Sequence, residues 1–269
     1  MGVLRAVRGG LSDAVPAGAG VRYELSHMKV LVTGSAGHVG QPVCRELFRR
    51  GHAVRGFDRV PTPGVEDALV ADIAEPESVA AAMRGRDAVV HLAAQPVDAP
   101  FAQLIGPNVV GLYTVMNAAR EAKVPRVVLT SSMTVASPEH APEQPVPVDR
   151  ARPRSHYALT KLWAEQMGEM YARCFGMSVL AVRVGWMVRN AGEARRMREL
   201  DIPDVYLSAG DAGRFFACAV EAPEITFAVV YAAGRGGERV FDMEPARRLL
   251  GYEARDRWPD GLPFEESPA

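Results

Sequence analysis

Lysine is nearly missing from this chain. Of its 31 basic side chains only Lys29, Lys123 and Lys161 are lysine, and the other 28 are arginine. The 32 acids balance them to a net charge of −1, so no uniform positive field is offered to a polyanion. That argues against nucleic acid as a main partner and against a polybasic membrane surface. Cysteine is also scarce: Cys44, Cys174 and Cys218 stand at unpaired spacings. This speaks against a disulfide framework or zinc knuckle and for free thiols in a reducing cytoplasm. The six histidines form no ligand cluster, so no metal site is expected. No apolar run approaches the ~20 residues of a membrane span.

What is present is an ordinary globular composition, 48% hydrophobic and 23% charged over 269 residues. It suits one large domain, or one with a small appendage. Residues 1–27 are turn-rich at Gly9-Gly10 and Pro16–Gly20, carry no signal-peptide h-region, and precede Met28 and the first strand. They are read as a disordered or non-native leader outside the fold. Beyond them strands and helices alternate. Strands are predicted at Val30–Thr33, Ala53–Phe57, Ala68–Ala71, Ala88–Leu92, Arg126–Thr130, Val179–Val184 and Phe227–Val230. Helices are predicted at Val39–Arg50, Pro76–Met83, Phe101–Ala122 and His156–Phe175, with shorter ones after Ser208 and Asp242. Such alternation implies an α/β fold, a Rossmann-type doubly wound parallel sheet with helices on both faces.

The first strand runs into Gly34-Ser35-Ala36-Gly37-His38-Val39-Gly40, which then opens the first helix. In that setting backbone N–H groups and the positive helix end can hold a pyrophosphate. The first glycine permits a tight turn, the second lets backbone approach phosphate, and the third lets helix pack on strand. Asp58 ends the second strand 18 residues after Gly40. A carboxylate there can accept hydrogen bonds from both adenosine ribose hydroxyls and would repel a 2′-phosphate, favouring NAD over NADP. The neighbouring Arg59 works in the opposite direction.

Tyr157 and Lys161 lie one helical turn apart on one face. Seven tyrosines and three lysines in 269 positions give about 0.08 such pairs by chance. A lysine beside a phenol favours the phenolate and makes a usable base. Arginine, with its bulk and fork geometry, is a poor substitute for a point charge shared with a ribose. Ser131-Ser132 close the fifth strand, where a hydroxyl can bond a reacting oxygen.

These residues resemble the short-chain dehydrogenase/reductase superfamily, in its extended branch of NAD-dependent epimerases, dehydratases and sugar dehydrogenases. The resemblance rests on the glycine loop, Asp58, Asp72-Ile73, His91-Leu92-Ala93-Ala94, Asn108, Ser132 and the Tyr157/Lys161 pair, and it covers Met28 to about Gly185. It implies a Rossmann core over 28–185 and a small substrate-binding cap with C-terminal elements over 186–269. It also implies that Ser132, Tyr157 and Lys161 are catalytic and that Asp72 and Ile73 meet adenine. Gly34, Gly37, His38, Val39, Gly40, Asp58, Arg59, Leu92, Ala93, Ala94 and Asn108 would complete the cofactor site, with His91–Gln95 along the cleft.

Within the branch the chain is most similar to the uronate dehydrogenases, through Asn108–Tyr113, Arg183-Val184-Gly185, Arg195-Arg196-Met197 and Tyr206-Leu207-Ser208. That implies an NAD-dependent oxidation of a sugar or sugar-acid hydroxyl, with Gln95, Ser132, Met133, Trp186 and Arg196 around the substrate. A guanidinium at 196 would suit a carboxylate or several sugar oxygens. Pro96, Met133-Thr134 and Trp186 depart from that group's serine, Asn-His and serine, and make the pocket less polar. A nucleotide-sugar epimerase and a non-catalytic dinucleotide sensor are the rival readings. A homodimer through the two long helices is the family expectation.

Overall fold

The computed structural model describes residues 27–223 and 225–262, so the leader expected over 1–27 lies outside the described residues except for His27. β1 (Lys29–Thr33), β2 (Ala53–Asp58), β3 (Ala68–Val70), β4 (Ala88–His91), β5 (Arg126–Ser132), β6 (Ser178–Val184) and β7 (Phe227–Ala232) form one sheet in the order β3-β2-β1-β4-β5-β6-β7. Every pairing is parallel. The strands read as unbroken apolar runs because both faces of the sheet are covered. Alternate residues still divide between two cores. Val30, Val32, Ala88, Val90, Val128 and Leu180 face one side; Leu31, Val89, Val127, Leu129 and Val179 face the other. Each such fully buried valine or leucine side chain contributes ~1.5–3 kcal/mol to folding.

On the first face lie α1 (Gly40–Arg49) and α7 (Ala209–Glu221), with Val43, Leu47, Phe215 and Phe216 turned inward. On the second lie α2 (Pro76–Met83), α4 (Gly111–Glu121) and α5 (His156–Phe175), with Val79, Leu112, Val115, Met116, Ala164 and Tyr171 inward. The helix predicted over Phe101–Ala122 is not continuous. A short α3 (Phe101–Leu104) passes through a π-helical turn, Ile105–Val110, before α4. Pro107 sits in that turn and has no N–H to continue an α-helical ladder.

The expected boundary between core and cap also moves. β7 pairs with β6 from Val179/Phe227 to Val184/Ala232, and α7 packs on α1. Much of 186–269 therefore completes the Rossmann layers, β7 as a further parallel strand and α7 as a helix burying Phe215 and Phe216 against one face of the sheet. The remaining cap is slight. It consists of α6 (Ala191–Glu199) and loops tied by the bridges Trp186–Tyr206 and Val146–Phe241, while α8 (Glu244–Leu250) packs against β7 and α7. Buried Asp211 fastens the last segment by accepting from the backbone N–H groups of Arg255 and Asp256. The strand order reverses at β1, between β2 and β4, which opens a crevice at the carboxyl ends of the strands.

Candidate active site

A cleft of about 1040 Å³ occupies that crevice, lined by the glycine loop, the ends of β2, β4 and β5, the start of α5 and the chain after β6. Its volume lies at the upper end of the ~300–1,000 Å³ range of small-molecule sites. At one end Gly34 takes φ +71°, and its N–H donates to Phe57 O at 2.8 Å. A Cβ on Gly34 would stand 2.7 Å from Ala93 N, and one on Gly40 only 2.1 Å from Gly34 O. Gly40 thus serves closure of the loop on itself rather than contact between helix and strand. α1 has no side-chain cap and no acid in its first turn, so its positive end is left for a bound anion.

Asp58 bounds the same end. Its carboxylate accepts from Ala36 N at 3.0 Å and from Arg59 N at 2.7 Å, which aims it across the loop. Asp72 and Ile73 line the next wall. Ile73 fits against α4 because Gly111 leaves space; a Cβ there would lie 2.6 Å from Ile73 Cγ2. Leu92, Ala93, Ala94 and Gln95 form the opposite wall. A glycine cradle, an uncapped helix end and a fixed carboxylate fit a dinucleotide.

At the other end the three expected catalytic side chains meet. Ser155 caps α5 by accepting from Ala158 N at 3.1 Å, and Asp98 Oδ1 accepts from Tyr157 N at 3.1 Å. These bonds set the first turn that carries Tyr157. Lys161 Nζ lies 5.8 Å from the centroid of the Tyr157 ring and donates to Thr130 O at 3.1 Å. Ser132 Oγ accepts from Thr134 Oγ1 at 2.9 Å, a contact the sequence did not suggest. Burial raises the Tyr157 phenol above its ordinary value, against a hydrogen bond with Ser132 and the charge of Arg189. The Lys161 ammonium sits over the ring face and is held by a carbonyl.

Lys161 itself is buried, and desolvation lowers its pKa from 10.5 to about 8. Nearby His91, also buried, is brought down to about 3 by desolvation and then by the Lys161 charge. It is a neutral ring bonded to Thr33 Oγ1 at 2.8 Å, beneath the cleft rather than along it. A lysine pKa depressed on folding opposes stability fully below the folded value. The penalty fades as pH rises from about 8 to 10.5. Lys161→Met is therefore expected to remove turnover yet raise stability at pH 7 by ~1–3 kcal/mol. Denaturant titrations at pH 7 and above pH 10.5 check this, with the gain vanishing at the higher pH.

Residues 30–197 match the NAD dependent epimerase/dehydratase family. The chain belongs to that family. It is 31% identical to the L-arabinose 1-dehydrogenase (NAD(P)(+)) of Haloferax volcanii, over 85% of this chain and 96% of that protein. It is 29% identical to a uronate dehydrogenase of Pseudomonas syringae pv. tomato, over 85% and 82% of the two chains. A uronate dehydrogenase from Agrobacterium tumefaciens, solved as a point mutant complexed with NAD, superposes with a TM-score of 0.73. It is 25% identical, covering 86% of each chain.

Two residues assigned from the family resemblance lie elsewhere. Asn108 is buried behind the wall. Its Oδ1 accepts from Gln95 N at 2.7 Å, and its Nδ2 donates to Gln95 O and Thr160 Oγ1 at 3.2 and 3.0 Å. It shapes the Gln95 wall and does not line the cleft. Arg196 is on the outer face of α6 and exposed, because Ala194 and Met197 take the buried face and the helical period turns 195, 196 and 198 away. Arg189, four residues before Glu193, lines the cleft instead, with Met133, Trp186 and Pro96. Its signal in the sequence was Asn190-x-x-Glu193, a capping-box pattern that fixes where α6 starts.

Proposed function

We propose that this family member is an NAD-dependent oxidoreductase that oxidises a hydroxyl or hemiacetal carbon of a sugar or sugar acid, as its relatives' names suggest. The observation that carries this reading is the meeting of Ser132, Tyr157 and Lys161 in the one cleft that also holds the glycine cradle. When bound, NAD supplies the two-electron acceptor for the sugar carbon. Tyr157 takes the proton of the reacting hydroxyl at its phenol oxygen. Ser132 Oγ holds the same oxygen, with Thr134 setting its direction. Lys161 would hold the ribose beside Tyr157 and favour charge on the phenol once that ribose is in place. Trp186, Met133 and Pro96 exclude water from the sugar's far side and replace hydroxyl-reading contacts with apolar ones.

Asp58 sets the cofactor preference in this reading. Asp58→Asn keeps the size and an acceptor but removes the charge. It is expected to weaken NAD binding about tenfold and to narrow the gap to NADP, read by fluorescence titration of both dinucleotides. The activity itself is tested by NAD reduction across aldoses, hexuronates and simple secondary alcohols. NADH with sugars supports the proposal; NAD binding with no reduction by any of these substrates returns the chain to a dinucleotide sensor.

Pairing of two copies through α4 and α5 fits the exposed Tyr113, Leu159, Trp163, Met170 and Phe175 on those helices. A cytoplasmic setting fits three free cysteines.

A further inference from the structure

The cleft wall carries three groups with strong positive charge, each at a different station: Arg59 beside Asp58, Lys161 under Tyr157, and Arg189 near Trp186 and Met133. Only Arg189 is placed to meet the part of a sugar remote from the reacting carbon, and it already has a carboxylate. Glu193 Oε1 lies 2.5 Å from Arg189 Nη2 and accepts from Arg189 Nε at 2.8 Å. Glu193 Oε2 accepts from Arg189 N at 3.0 Å and from the Trp186 indole at 3.3 Å. Asn190 Oδ1 accepts from Glu193 N at 3.0 Å, which fixes the backbone of this residue in the first turn of α6. Backbone, guanidinium and indole thus converge on one internal carboxylate at the cleft edge.

We infer that Glu193 is a specificity-determining residue, a built-in carboxylate that occupies Arg189 and turns this end of the cleft towards neutral sugars and away from hexuronates. This rests on the oxidoreductase reading above and names its substrate class. A hexuronate carboxylate would have to displace an intramolecular rival whose effective concentration is high, and would then sit beside a second negative charge. A hydroxymethyl group meets neither obstacle. The apolar neighbours Pro96, Met133 and Trp186 leave a displaced carboxylate few hydrogen-bond donors. The Arg189 side chain is 40% exposed, so solvent screens the pair and discrimination is expected to be graded, about tenfold to a hundredfold.

The experiment compares kcat/KM, with NAD, for two matched pairs: D-glucose with D-glucuronate, and D-galactose with D-galacturonate. Within each pair only the group on carbon six differs. The wild-type protein should favour the neutral member by about tenfold or more. E193Q keeps an acceptor for Trp186 and the Arg189 N–H but removes the charge. It should shift each ratio towards the uronate by about tenfold, and R189Q added to E193Q should take that shift away. A wild-type preference for the uronates overturns the inference whatever the variants do. So does an unchanged ratio in an E193Q protein that melts and binds NAD like wild type. Failure of all four sugars to yield NADH, where other sugars yield it, also overturns this inference but leaves the oxidoreductase reading standing. Failure of every sugar and alcohol removes both.

Discussion

Tyr157→Phe is expected to lower kcat by about 10²–10⁴-fold while NAD binding stays within a few-fold of wild type. The substitution removes one oxygen and keeps the ring, and the ring carries the packing and faces the Lys161 ammonium at 5.8 Å. Ser155 and Asp98 hold the first turn of α5 through backbone N–H groups, which the substitution does not touch. The loss therefore falls on proton transfer and on the partner of Ser132. Because burial raises the free phenol's pKa, wild-type turnover should also climb with pH until the base is formed. The Phe variant's residual rate should lack that limb. A variant retaining turnover within a few-fold of wild type would place the base elsewhere.

Arg183→Met is expected to destabilise the fold by about 3–5 kcal/mol, the largest stability effect among the substitutions considered. Arg183 Nε and Nη2 each donate to the Glu165 carboxylate at 2.8 Å, and both side chains are almost wholly buried. Ser131 Oγ donates to the same carboxylate at 2.5 Å. Arg183 Nη1 reaches Arg150 O at 2.8 Å and Tyr231 OH at 3.0 Å, and that hydroxyl donates to Pro147 O. One guanidinium therefore joins β6 to α5, to β7 and to the loop between β5 and α5. Removing it alone strands a buried carboxylate one turn beyond Lys161. Glu165→Met combined with Arg183→Met should recover much of the loss, since the uncompensated charge goes with it. Equilibrium denaturation of the two single variants and the double one measures the coupling. Equal losses in single and double variants would show that packing, and not the ion pair, sets the effect.

The layout of the sheet was legible because parallel strands buried on both faces leave continuous apolar runs, and Val30–Thr33, Ala88–His91 and Val179–Val184 have no other economical reading. Tyr157/Lys161 was legible because helical spacing makes neighbours of residues four apart and because lysine is rare in this chain. Glu165, four further on, belongs to the same face, yet spacing alone does not distinguish a solvated acid from a buried one. Its partner Arg183 lies on a strand, and only the tertiary fold joins them. Arg196 illustrates the opposite limit. A basic run shows that arginines are present, but the inward face of α6 is decided by Ala194 and Met197 packing on the core. Arg189 precedes the helix, in a loop with no period to read, so the Asn190-x-x-Glu193 pattern places the start of α6 without showing that Arg189 faces the cleft. The π-helical turn escaped for a similar reason: Pro107 marks an interruption, while the bonds of Asn108 in that turn to the Gln95 backbone join residues distant in sequence.

In the proposed function the cleft oxidises a sugar with net reduction of NAD. The most direct measurement follows NADH and sugar product together, with purified protein, NAD and the best sugar found in the substrate panel. One NADH released for each sugar oxidised is the expected result. Conversion of the sugar to an epimer with no net NADH would contradict it.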